Sequence, residues 1–252
     1  MKVLLTNDDG FYAPGLQTLY RYLKDTAIVF IVAPQTEISA SGHGITMHRP
    51  LRPEPVSAIG EDTDAHWSVD GTPADCVKLA IEHIFRNSLP DLIISGINRG
   101  PNLGNDILYS GTVSAAIEGA MHKIPSLAVS LAQYSNPDFK PAAAFIAQKI
   151  TQLAGLAKTA VLNLNFPPLN DFHGVRFTRL GNRVYRNVFE ARVDPRGRNY
   201  FWMGGEPAAV PQSADSDIQA VAEGYISITP LSFDLTDWFF LEKIRLNPNP
   251  LG

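Results

Sequence analysis

Short apolar runs at residues 3–5, 28–33, 92–95, 127–130 and 161–165 alternate with segments whose apolar side chains recur every three or four positions. Parallel strands cannot be joined by a tight turn and need a crossover, usually helical, so this alternation predicts an α/β chain with a mostly parallel sheet flanked by helices. The first helical pattern follows Pro14 and sets Leu16, Leu19 and Leu23 on one face. The second carries Val77, Ala80, Ile81, Ile84 and Phe85, and the third Val113, Ala116, Ile117, Ala120, Met121 and Ile124. A fourth opens after Pro141, a favourable first-turn residue, with Phe145, Ile146, Ile150 and Leu153.

The texture changes at residue 175. Residues 175–178, 184–185, 200–203 and 219–229 read as strands separated by turns rich in Gly, Pro, Asn and Arg. We expect one domain over residues 1–252: a core at about 1–174, then an extended β-hairpin arm, returning strands and a tail over 175–252. An arm without a core of its own commonly packs on a partner subunit, so a homodimer or homotetramer is expected. The tail, with Trp238, Phe239, Phe240, Leu241, Ile244 and Leu246, is apolar enough to need a cover. Residues 50–55 read as a loop within the domain.

A net charge of -4 and a pI near 5.8 argue against binding to duplex nucleic acid, whose partners normally show a basic surplus. Apolar stretches fall far short of the roughly 20 residues of a membrane span, and residues 1–5 run into structure without a signal-peptide pattern. Cys76 is the single cysteine, which excludes an internal disulfide. It sits in an apolar helical pattern as a core residue, and the expectation is a cytoplasmic protein.

Ligands of open parallel sheets gather beyond the carboxyl ends of the strands. The first run ends at Asn7-Asp8-Asp9-Gly10, where two adjacent carboxylates repel by about 4 kcal/mol at roughly 4 Å and an effective dielectric near 20. A bound divalent cation compensates that repulsion; the alternative is a turn in which Asp8 caps and Asp9 is solvated. The second run leads into Ser39, Ser41 and His43, and the third into Asn98, Arg99, Asn102 and Asp106. Asp8, Asp9, Ser39 and Asn98 make an all-oxygen set suited to magnesium or manganese, and with one cysteine and no ordered histidine pair zinc is disfavoured. Ser110, Gly111 and Thr112 open the third helix, where backbone N–H groups and hydroxyls make an anion pocket or an ordinary N-cap. His43 is a candidate supporting donor or proton shuttle; His48, His66, His83, His122 and His173 show no ligand spacing. Asp75 falls in a first helical turn, a structural place for a carboxylate. There is no Gly-x-Gly-x-x-Gly after the first strand and no Walker-type Gly-Lys-Thr.

Several segments together resemble the stationary-phase survival protein SurE family of 5'/3'-nucleotidases. They are Asn7-Asp8-Asp9-Gly10 with Ala13-Pro14-Gly15, Gly71-Thr72-Pro73-Ala74-Asp75-Cys76-Val77, Ser95-Gly96-Ile97-Asn98-Arg99-Gly100-Pro101-Asn102, Tyr109-Ser110-Gly111-Thr112, and Gly224-Tyr225-Ile226-Ser227-Ile228-Thr229-Pro230-Leu231. The resemblance implies a Rossmann-like three-layer domain with an arm exchanged between subunits. It also implies one divalent ion per subunit on Asp8, Asp9, Ser39 and Asn98, with the Ser110, Gly111 and Thr112 loop facing the substrate phosphate. The implied reaction is hydrolysis of nucleoside 5'- and 3'-monophosphates, and in some members of short polyphosphate. Asn98, Asn102 and Arg99 are expected beside the phosphate, and one of Asp8 and Asp9 as proton acceptor. Before Ser39 this chain has Glu37 and Ile38 where the family pattern has Arg or Asn next to the serine, so Ser41 is the competing ligand. The segment 182–198 matches loosely.

Three rivals differ in class. A signalling receiver needs an acceptor aspartate where this chain has Ser95 and Gly96. A haloacid-dehalogenase type phosphatase separates its two aspartates by one residue, whereas Asp8 and Asp9 are adjacent. A non-catalytic nucleotide-binding module would bind a nucleoside monophosphate without releasing phosphate.

Overall fold

In the first strand, β1 (Lys2–Thr6), Val3 and Leu5 bury on one face of the sheet and Leu4 on the other. A strand covered on both faces needs helices on both, and that is the three-layer architecture of the computed structural model, which describes residues 1–56, 66–158 and 160–246.

Helix α1 (Pro14–Leu23) follows β1 and leads to β2 (Ile28–Pro34), then β3 (Pro53–Pro55), β4 (His66–Val69) and α2 (Pro73–Leu79). Next come β5 (Leu92–Arg99), α3 (Gly111–Met121), β6 (Ser126–Leu131), α4 (Lys140–Leu156), β7 (Val161–Phe166) and β8 (Val175–Phe177). Four short strands follow: β9 (Tyr185–Arg186), β10 (Phe189–Val193), β11 (Asn199–Met203) and β12 (Glu206–Pro207). The chain closes with α5 (Asp217–Ala222), β13 (Ile226–Leu231) and α6 (Trp238–Arg245).

Nine strands form one sheet in the order β3-β4-β2-β1-β5-β6-β7-β13-β8. From β4 to β7 the pairs are parallel; β3 and β13 run antiparallel to their inner neighbours. Leu16, Leu19 and Leu23 of α1 join Ile146, Ile150 and Leu153 of α4 in one core, while Cys76 and Val77 of α2 and Ala115 of α3 line the other. Cys76 is therefore a buried core residue, with a thiol that burial pushes well up. The connection from β1 goes to β2 on one side while β5 lies on the other, so β1 and β5 flank the point where the winding reverses. Ligand crevices open there.

The expected α/β class and hairpins are present, with differences in detail: β4, which pairs parallel to β2, and β10 lie where no strand was expected. The second helix ends in a π-helical turn over Ala80–Ile84. Residues 53–55, expected as loop, pair as β3 along β4. The stretch 219–229, expected as one strand, contains α5 before β13, because the Ser216 hydroxyl accepts from Gln219 N at 3.2 Å and caps a helix whose Ala220 and Val221 are buried. Strands β8 and β13 return to the main sheet; β10 pairs with β11 and β9 with β12 outside it, and every residue of β10 and β11 is exposed. Helix α6 buries none of its residues. Among the described residues no helix is long and apolar enough to cross a membrane.

Helix α1 lies so close to β5 that a Cβ on Gly15 would meet the Ile97 carbonyl oxygen at 1.9 Å. In a free helix Gly→Ala gains about 1 kcal/mol; here the added methyl must push backbone, at about 1–3 kcal/mol. Gly15→Ala is therefore expected to lower the urea midpoint, and a raised midpoint would refute this close approach.

Candidate active site

Asp8 and Asp9 leave β1 at the reversal point, and four elements converge on them. Asn7 Nδ2 donates to the Gly10 carbonyl at 2.9 Å and turns the chain out of the strand. The Ile38 N–H donates to the Asp8 carbonyl at 2.8 Å, which draws the loop after β2 across the strand end. The Arg99 N–H, at the end of β5, donates to Asp9 Oδ2 at 3.0 Å. The Thr112 hydroxyl, in the first turn of α3, donates to Asp8 Oδ1. Gly111 makes room for that contact: a Cβ there would lie 2.8 Å from Asp8 Cβ and 3.0 Å from both Asp8 Oδ2 and Ser41 Oγ.

The result is a cleft of about 530 Å³, in the size range of small-molecule sites. Asp8, Asp9, Ser39, Asn98, Arg99, Asn102 and Ser110 border it. Asn98 Nδ2 donates to the Gly100 carbonyl at 2.9 Å, so its Oδ1 is the end left for another partner. The Ser39 hydroxyl donates to Glu37 Oε1 at 2.8 Å and keeps its lone pairs. Ser41, the competing serine, is oriented differently: its hydroxyl is buried beside Gly111 and Asp8, without a hydrogen-bond partner among the described residues. Ser110 Oγ accepts from Val113 N at 3.1 Å, so it caps α3 while bordering the cleft. Asn102 is half architecture: its Nδ2 donates to Ser130 Oγ at 2.8 Å, and its carbonyl accepts from Asn163 and Asn165 at 2.9 Å, tying the loop to β6 and β7.

Each carboxylate of the pair has one oxygen engaged by a donor. Burial pushes the Asp8 carboxyl up to about 6, the Thr112 hydroxyl opposing and the charge of Asp9 adding to it. Asp9 is raised as well, first by burial, with the Arg99 N–H opposing and Glu37 adding. Two disfavoured carboxylates beside an amide oxygen and a hydroxyl are the donor chemistry that hard divalent cations take. Among the described residues no group of three or more His, Cys, Asp or Glu has metal-holding geometry. A set mixing two carboxylates with amide and hydroxyl oxygens is of another kind.

His43 does not reach the carboxylate pair as a donor in the hydrogen bonds described. Its Nε2 lies 2.9 Å from Oε2 of Glu118, a buried carboxylate that also takes Lys78 Nζ at 2.8 Å and lies 3.3 Å from His122 Nε2. The His43 bond and then Lys78 hold the Glu118 carboxyl down to about 2 against burial, so the loop bearing Ser39 is pinned to α3 by a charged hub. Asp75 has the structural role expected of it. It completes a capping box with Thr72, and it takes the Thr46 N–H at 2.9 Å and hydroxyl at 2.6 Å.

Glu37, Tyr134, Arg183 and Tyr185 also border the cleft without having been singled out in the sequence as site residues; so do Asp106 and Tyr109, expected only as part of the polar stretch beyond the third run. Arg183 and Tyr185 come from the start of the arm. Their two-residue spacing, which sets side chains on one face of an extended segment, was the signal available.

With this geometry in view, the match to known proteins is unambiguous. The family model described as Survival protein SurE matches residues 3–187. The chain belongs to the SurE family. A protein named 5'-nucleotidase SurE from Pelotomaculum thermopropionicum is 50% identical over 247 residues, covering 97% of this chain and 94% of that one. Another of that name, from Heliobacterium modesticaldum, is 48% identical over 249 residues, covering 97% and 90%. The crystal structure of the SurE protein from Aquifex aeolicus superposes with a TM-score of 0.84 at 37% identity, covering 98% of this chain and 99% of that one.

For this SurE-family chain the raised Asp8 has a consequence for stability. Between pH 3.8 and about 6 the folded protein keeps a proton that the unfolded chain has lost. The unfolded state then binds fewer protons, so stability falls as pH rises through that window, by about 3 kcal/mol for this group. In EDTA, the denaturation midpoint of wild type should fall relative to that of Asp8→Asn as the pH is raised from 4 to 7. Identical pH slopes would show that Asp8 is not perturbed.

Proposed function

We propose that this protein is a divalent-metal-dependent phosphomonoesterase that hydrolyses nucleoside 5'-monophosphates to nucleoside and phosphate, with 3'-monophosphates and short polyphosphate as further substrates. The observation that carries the proposal is that Asp8 and Asp9 after β1, Asn98 at the end of β5 and Ser39 after β2 all border one cleft. The names of the relatives from Pelotomaculum and Heliobacterium, 5'-nucleotidase SurE, support the substrate class.

Asp8, Asp9, Asn98 and Ser39 would hold one magnesium or manganese ion per subunit. When bound, such an ion neutralises charge on the phosphoryl oxygens and acidifies water. The chain's own groups supply the rest. Arg99 N–H orients Asp9 and Thr112 orients Asp8, so the carboxylates do not reorganise during the reaction. One of the pair takes the proton of the attacking water. The start of α3, where Ser110 borders the cleft ahead of Gly111 and Thr112, would offer backbone N–H groups and a positive dipole end to the equatorial phosphate oxygens. Asn98 and Asn102 border the same space. Such a site grips phosphate more than base, which fits a nucleotidase of broad base tolerance.

We place the working protein in the cytoplasm as a homodimer or homotetramer. The exposed Phe189, Phe201 and Trp202 of the arm and Trp238 and Phe239 of α6 support an assembly that covers them.

The test is phosphate release from 5'-AMP and 3'-AMP with added magnesium or manganese, in EDTA, and with Asp9→Asn. Supporting partners of a bound metal are worth 10–100-fold, so loss of a direct ligand should lower kcat/KM by roughly 100-fold or more. EDTA should abolish turnover and added metal restore it. Turnover that survives both the chelator and the substitution would end this reading.

A further inference from the structure

One wall of the cleft is built from two segments far apart in sequence. Asp217, fully buried in α5, accepts from Gly104 N at 2.8 Å and Gly181 N at 2.7 Å. Asn105 Oδ1 accepts from Arg183 N at 2.6 Å, and Asn105 Nδ2 donates to the Arg183 carbonyl at 3.1 Å. The base of the arm is thus fastened to the 3-10 segment Gly104–Tyr109 before it leaves as hairpins. That fastening carries Arg183 and Tyr185 to the edge of the cleft.

Arg183 is held there in a particular way. Its Nη1 donates to Asp106 Oδ2 at 2.8 Å, and the Tyr185 hydroxyl donates to the same oxygen at 2.5 Å. The side chains of Arg183 and Asp106 are 21% and 20% exposed, so the pair is largely desolvated yet open on the cleft side. Among the described residues the hydrogen bonds of the guanidinium all leave from Nη1, to Asp106 and to Tyr185, so Nε and Nη2 remain to donate. The other cleft arginine, Arg99, is half exposed, with Nη2 3.5 Å from Glu37. The cleft is otherwise lined by the carboxylates of Asp8, Asp9, Glu37 and Asp106, a poor reception for an anionic ester unless a fixed cation faces it.

We propose that Arg183 is a substrate-binding residue, delivered by the arm, whose free guanidinium N–H groups take the phosphate of a phosphomonoester. Asp106 and Tyr185 are positioning residues that hold the fork in place. The proposal rests on the phosphomonoesterase reading for its substrate, but its ligand chemistry, a phosphate dianion, stands by itself. A planar fork suits two parallel bonds to phosphate oxygens, and its partial desolvation strengthens them. The cleft is then complete only when the base of the arm is seated.

The experiment compares wild type with Arg183→Gln, Arg183→Lys and Tyr185→Phe, each with the divalent metal present. It measures the Kd for inorganic phosphate by calorimetry, KM and kcat for 5'-AMP and for p-nitrophenyl phosphate, the half-point of metal activation, and the sedimentation state. A charge-assisted hydrogen bond supports a rise of about tenfold or more in the phosphate Kd and in both KM values for Arg183→Gln. Arg183→Lys should recover part of that loss. Tyr185→Phe, which removes one hydroxyl and leaves the guanidinium, should raise the same constants by roughly two- to tenfold. The metal half-point and the sedimentation state should not move. An unchanged phosphate Kd in Arg183→Gln and Tyr185→Phe overturns the proposal and leaves the Arg183–Asp106 pair as a tether for the arm. A rise in KM for AMP alone overturns it too, since Arg183 would then contact the nucleoside. If wild type binds phosphate but releases none from AMP, the phosphomonoesterase reading fails while the Arg183 assignment is still decided by the phosphate Kd.

Discussion

A buried carboxylate beside a second carboxylate is the constraint around which this structure is arranged. Asp8 is 5% exposed and Asp9 follows it directly, so the end of β1 carries two like charges in a place that disfavours either. What offsets this comes from elsewhere in the chain, the Thr112 hydroxyl from α3 and the Arg99 N–H from β5, while the Ile38 N–H, donated to the Asp8 backbone carbonyl, brings the Ser39 loop over the pair. Gly111 lacks the Cβ that would collide with Asp8. Each contact orients an oxygen rather than neutralising it. The residual disfavour is what the proposed cation would relieve, and its binding would then couple stability to ligand at one point.

Two further hubs hold that point in register. Glu118 ties His43, and with it the serine loop, to α2 and α3 through Lys78 and its own helix. Asp217 ties the loop after β5 to the base of the arm. Both are buried acids, but their environments differ. Glu118 faces His43 and Lys78 and stays ionised, whereas Asp217 is raised by burial and receives backbone N–H groups. Through Asp217 the arm belongs to the cleft at its base and to the surface at its tip, where Phe201 and Trp202 stand exposed. An element that borders the cleft at its base and carries an exposed apolar surface at its tip would link the proposed assembly with substrate binding.

The expected strands and helices of the first two thirds agree with the observed elements to within a few residues, since buried parallel strands write themselves as unbroken apolar runs. Elsewhere periodicity misled or was silent. Helix α5 is short, and its Ile218, Ala220 and Val221 mimic strand alternation; the telling signal was Ser216 three residues before Gln219. Strand β10 does alternate, with Phe189, Ala191 and Val193 against Glu190 and Arg192, but its apolar face is exposed and belongs to no core of this chain. At the site, Asp8, Asp9, Ser39, Asn98 and Ser110 could be singled out because each follows or opens an element end. Glu118 and Asp217 could not: a carboxylate inside a helix looks solvated until the fold removes its water. Arg183 was equally hidden, lying 77 residues from Asp106, the partner that aims it.

The sequence by itself determined the main parallel strands β1, β2, β5, β6 and β7 with the helices between them, the acidic pair at the first strand end and the family to which the chain belongs, because local periodicity and short contiguous motifs carry all three. Only the tertiary structure decided which carboxylates lose their water, which serine faces the cleft, and that an arginine from the arm joins it. Those outcomes depend on contacts between residues far apart in the chain, and desolvation is a property of the packed whole rather than of any one segment.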